Sequence, residues 1–163
     1  MSPRRSLFIL IILSLISLSA CSEYWWTRGQ PPSVESLVSR ADDRLERALA
    51  SNSESRAQLA PLAKDIKTEL LSAFQILAFD SNLRENSQLI AHLEKAREDF
   101  INLEGKLSFG SRPAYGELSG QFRAFEATIS PDDRSKLSFS SFGLFVSRTL
   151  FFLANELSVP APA

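Results

Sequence analysis

Apolar residues recur along this chain at steps of three and four, the spacing of one helical face, and no stretch alternates long enough to make a strand. Val34, Leu37, Val38, Ala41, Leu45, Ala48 and Leu49 form the first face, with Ser33 placed to cap it. Asp43 and Arg47, four apart on its outer side, are spaced to pair. A polar turn at 51–54 follows. Leu59, Leu62, Ile66, Leu70, Ala73 and Leu77 then predict a second helix to about Phe79, with Ser55 and Gln58 at capping spacing. Pro61 is awkward inside a helix, so the first turn is expected to start at Ala60. After a turn at 80–82, Leu89, Leu93, Ala96, Phe100, Leu103 and Leu107 mark a third helix over about 83–107.

Residues 105–120 hold four of the six Gly and read as the main irregular stretch. A fourth helix is expected near Pro113 or Ala114, carrying Leu118, Phe122, Phe125 and Ile129. Ser130, Pro131, Asp132 and Asp133 predict a helix start that leads into a last helix over about 140–157. That helix is apolar nearly all round, through Phe142, Phe145, Val146, Leu150, Leu153 and Leu157 with Leu144, Phe151 and Phe152 on a second side, so it should be buried. The fold class is all-α: an antiparallel bundle of four to five helices over residues 33–158, with 159–163 a flexible tail.

What precedes the bundle differs in kind. Arg4 and Arg5 are followed by LFILIILSLISL at 7–18, a charged region and a short apolar one, the pattern of a signal peptide. Twelve residues are too few to cross a bilayer, which takes about 20 as helix. The run ends in Leu18, Ser19, Ala20 and Cys21, which resembles the lipobox of bacterial lipoproteins. The resemblance implies cleavage after Ala20, a diacylglyceryl group on the Cys21 sulfur and acylation of the new amine. Ser22, where Asp tends to retain such proteins in the inner membrane, implies the outer membrane, facing the periplasm. Residues 1–20 would then be the signal and 21–32 a lipidated tether. Tyr24, Trp25 and Trp26 on that tether suit the membrane–water interface, where an apolar ring meets a polar tip.

Composition narrows the function. At 163 residues the chain has room for one domain, and a net charge of −1 gives no general attraction to nucleic acid. Removing residues 1–20 takes away Arg4 and Arg5, leaving 16 basic against 19 acidic residues, a net of −3. If lipid occupies the only Cys, no thiol remains for catalysis, disulfides or metal. The only His, His92, has no partner ligands for zinc and reads as a surface residue. No Gly-x-Ser-x-Gly, P-loop or Gly-x-Gly-x-x-Gly motif occurs. No catalytic residue, cofactor or metal is therefore expected.

Two features are left as candidate sites. One is the Gly-rich stretch with Arg112 and Tyr115, a place for a protein partner on a rigid scaffold. The other is the Phe cluster at 139–152, where Phe142, Phe145 and Phe152 could line a groove for a hydrophobic ligand. The expected function is a membrane-anchored, non-enzymatic envelope lipoprotein that scaffolds or assists a protein partner. The alternative is a binder of lipid or another hydrophobic ligand.

Overall fold

The computed structural model describes residues 31–52, 56–79, 87–129 and 138–159. The signal segment, Cys21, Ser22, Tyr24, Trp25 and Trp26, the Ser55 cap, the turn at 80–82, the helix start at 130–133 and the tail at 160–163 lie outside them. Among the described residues the protein is all-helical, with five α-helices and no strand. These are α1 (Val34–Asn52), α2 (Ala60–Phe79), α3 (Ser87–Glu104), α4 (Arg112–Thr128) and α5 (Phe139–Ser158).

Each helix begins where its local chemistry allows. Ser33 caps α1, its Oγ accepting from the Ser36 amide at 3.2 Å. Pro61 falls in the first turn of α2, where its missing N–H leaves no bond unmade. Ser138 caps α5 by accepting from the Ser141 amide at 3.4 Å. The expected Asp43–Arg47 pair takes another form: Arg47 Nε donates to the Asp43 backbone carbonyl at 3.1 Å. It is the neighbouring Asp42 that makes an ion pair, to Lys67 on α2 at 2.7 Å, with Glu46 joining it.

The buried positions follow the helical period. Val38, Ala41, Leu45 and Ala48 are the inward stripe of α1. The whole third seam is buried, Leu89 to Leu103 within α3 and Leu107 just beyond its end. On α5 the burial runs almost all round and takes in Gly143, Ser147 and Thr149 as well as the apolar residues. That helix packs on α1, α2 and α4, which makes it the centre of the bundle. Paired positions on α1 and α5 advance together: Ser147 Oγ donates to the Leu37 carbonyl, and Arg44 donates to Asn155 at 3.0 Å. On α2 and α5 they run oppositely, with Phe74 stacked on Phe139 and Arg56 Nε donating to the Val159 carbonyl.

Around α5 the aromatic rings touch in series. Phe100, Phe122 and Phe145 stack pairwise at centroid distances of 5.3 and 5.6 Å, and Phe125 meets Phe142 edge-on at 5.6 Å. Such pairs add about 0.5–1.5 kcal/mol each beyond the area they bury. Among the described residues no helix is long and apolar enough to cross a membrane.

Gly143 decides how near α5 can come to its neighbours. A Cβ there would stand 2.7 Å from Phe74 Cε2 and 3.1 Å from both Val34 methyls. Gly143→Ala should therefore cost about 1–3 kcal/mol, as overpacking does. Gly116→Ala, on α4 with nothing within 4 Å, should instead gain up to about 1 kcal/mol from helix propensity. Urea denaturation of the two variants checks the opposite signs. By the same method Phe145→Ala should lose about 3–5 kcal/mol and Phe152→Ala, half-buried, clearly less.

Candidate functional site

The stretch expected to be a long loop is mostly helix. Only residues 105–108 are irregular; a 3-10 turn at Phe109–Ser111 leads directly into α4. Pro113 near the start of α4 presets the helical φ, and Tyr115, Leu118 and Phe122 give the new helix an apolar face at the right spacing, which outweighs two glycines. Arg112 and Tyr115 therefore stand in the first turns of a helix and not on a loop. Tyr115 is buried, its hydroxyl donating to the Phe100 carbonyl at 2.9 Å. Burial, and then Glu104, raise its phenol above the usual value of 10.0.

What holds this corner is Glu156. It is 3% exposed near the end of α5, and its carboxylate accepts from the Ser108 amide at 3.2 Å and from the Ser108 and Ser111 hydroxyls. A buried carboxylate needs such donors to offset lost hydration. The clamp fixes the connector to α5 and leaves Phe109 outside, 85% exposed, with the Arg112 guanidinium over its ring at 5.6 Å.

Between α3 and α4 the surface opens into two cavities. One, of about 440 Å³, has Phe100, Tyr115 and Phe122 among its lining, with Arg97, Arg112, Arg123 and Glu104 around them. The second, of about 480 Å³, is lined by Leu93, Ile129 and Ala127 with Glu94, Glu126 and Arg97. Arg97 borders both, and its Nε is 3.7 Å from Glu126 across the groove. Burial, joined by Glu94, pushes the Glu126 carboxyl up against the pull of Arg97. Ile101 is 64% exposed beside the first cavity, although it lies on a helix with a full apolar seam elsewhere.

The chain matches no family model, no curated protein and no solved structure.

What this surface can do must come from its own chemistry. Phe100, Tyr115 and Phe122 are themselves 2%, 7% and 2% exposed, so the apolar surface that the first cavity offers a guest is chiefly Ile101, between charged walls. The Phe cluster at 139–152 is different. Phe142 and Phe145 are 0% and 1% exposed and packed ring on ring, so they line no open groove; Phe152 is half-buried. The apolar spacing that made them ligand-groove candidates is the spacing that buries them. Arg112 and Tyr115 are brought together at one cavity. Ile101, Arg97, Arg123 and Gly116, which line the same cavity, were not expected. Ile101 is the one with a signal, since it falls off the α3 seam.

His92 has a partner on the neighbouring helix. Its Nδ1 is 2.6 Å from Glu69 Oε2, and Lys95 bonds the other oxygen. Burial alone would raise the Glu69 carboxyl, but the bonds from His92 and Lys95 outweigh it and hold it below its usual 4.5. Asp99, on the same face, is pushed up by burial and by Asp65. Among the described residues no group of three or more His, Cys, Asp or Glu could hold a metal ion.

A carboxyl lowered on folding stabilises the native state fully above its unfolded value and stops doing so as pH falls through its folded one. The stability difference between wild type and Glu69→Gln should thus be largest above pH 4.5 and shrink below it. Chemical denaturation at a series of pH values from 7 down to about 3 checks the sign.

Proposed function

We propose that this protein is a lipid-anchored component of a bacterial cell envelope whose helical domain is a docking module and not an enzyme. Cys21 carries the lipid, and Ser22 directs the chain to the outer membrane, facing the periplasm. Tyr24, Trp25 and Trp26 settle at the headgroups. The support for the anchor is the lipobox-like run Leu18, Ser19, Ala20 and Cys21 after a short apolar segment. Two or more acyl chains hold a protein at a membrane stably, where one holds it only marginally.

The helices alternate in direction along the chain. Sequence neighbours are thus antiparallel, while α1, α3 and α5 share one sense, so α5 packs parallel to α1. The pairing of Leu37 with Ser147 and of Arg44 with Asn155 supports that order.

One observation carries the docking reading: Ile101 stands exposed beside an open groove, and Phe109 on the nearby connector is exposed as well. Leaving a side chain such as Phe109 or Ile101 in water forgoes about 1.5–3 kcal/mol each. The hydrophobic-ligand alternative has less behind it, because the rings it relied on, Phe142 and Phe145, are closed in the core.

Cys21→Ser should abolish incorporation of labelled palmitate and release the chain from the membrane fraction, while its helical circular dichroism is kept. Palmitate labelling that persists in the variant contradicts the anchor.

A further inference from the structure

The charges along the groove say what would fit it. Its α4 wall is one continuous stripe, Arg112, Gly116, Ser119, Arg123 and Ala127, at steps of four, three, four and four. The sixteen residues from Arg112 to Ala127 rise about 22 Å, or four turns of α-helix. The middle of the stripe is small. Gly116 has nothing within 4 Å of where a Cβ would stand, as has Gly120 on the same helix, so the groove wall is low at this point. Small residues let a second backbone approach closely. The exposed Ile101 on α3 and Phe109 on the connector stand beside the same cavity or next to it in sequence.

The two ends differ in charge. Three arginines face one glutamate in the cavity next to the connector, and two glutamates face Arg97 in the other. A neutral apolar guest such as an acyl chain would leave that polarity unused. We propose that the groove between α3 and α4 receives one amphipathic helix of a partner protein, about four turns long. Its apolar stripe covers Ile101 and Gly116, and its acidic side chains lie over Arg112 and Arg123. This deepens the docking reading and rests on it. The charge pattern sets the register of the guest, because an acid placed at the other end meets Glu94 and Glu126.

The test uses the full chain in the membranes of its host. A photoreactive benzoylphenylalanine replaces Ile101 in one variant and Leu144, exposed on α5, in another. The expected result is a discrete protein adduct from position 101, with the cross-linked peptide mapping to an amphipathic helix whose acids cluster at one end. Adding Arg112→Glu and Arg123→Glu should lower the yield about tenfold, and the Lys versions should restore most of it. Both arginines are exposed, so an unchanged melting temperature separates lost docking from lost folding. Adducts to lipid or to residues 21–32 at position 101 overturn the proposal, as does a yield indifferent to charge reversal. Protein adducts from position 144 alone overturn the groove and leave the docking reading standing. Lipid adducts only, or none, at both positions overturn both.

Discussion

The bundle depends on how closely its last helix approaches the first two. With Gly143 beside Phe74 and Val34, no side chain holds α5 away from them. The Phe74 ring can then stack on Phe139 at 4.7 Å, and Leu150, Leu153 and Leu157 close over α1 and α2. The same approach puts Phe142 and Phe145 where Phe100, Phe122 and Phe125 meet them, so one small residue is felt on both sides of the core. In a close-packed interior a displacement of a few tenths of an ångström at this point would be passed to each of those contacts.

Polar groups then fix what the apolar ones leave free to slide. Ser147 ties α5 to α1, Arg56 ties the start of α2 to the end of α5, and Glu156 ties the connector before α4 to the same end. Lys67 and Glu69 face opposite neighbours from α2: the lysine meets Asp42 and Glu46 of α1, and the glutamate meets His92 and Lys95 of α3. Burial alone would lower the Lys67 ammonium, but its bonds to the two acids raise it. Between α3 and α4 the side-chain ties are the Tyr115 hydroxyl on the Phe100 carbonyl and a long ion pair from Arg97 to Glu126, and two cavities open beside them. A bundle tied in this way, with an open groove on its surface, is suited to holding a partner in place.

The helices were legible because their apolar residues keep a period that only one secondary structure satisfies. The α3 seam, the Ser33 cap and the displacement of Pro61 to a first turn are local facts of composition and spacing. The fourth helix starts at Arg112, close to the expected Pro113, and only the loop reading of residues 112–120 fails: Tyr115 joins Leu118 and Phe122 on one helical face despite two glycines. Burial of that face against Phe100 and Phe145 is a tertiary gain that a local reading does not count. The last helix was expected to be buried and is; the groove reading of its rings fails for Phe142 and Phe145, since a stripe of rings looks alike whether it faces a core or a cavity. Gly143 carries no local signal, because its role comes from residues 69 and 109 positions earlier in the chain. The groove could not be seen in advance either: it is made by two helices at once, and its arginines become neighbours only after folding.

At the centre of this account is a contrast between a closed aromatic core and an open, arginine-walled groove on the same small bundle. Aromatic and methyl NMR signals of the full chain in detergent, recorded with a soluble paramagnetic relaxation agent, measure that contrast directly. Phe142 and Phe145 should keep their linewidths while Ile101 and Phe109 broaden strongly. Broadening of Phe145 together with protection of Ile101 would mean that the cluster is the open surface and the groove is not.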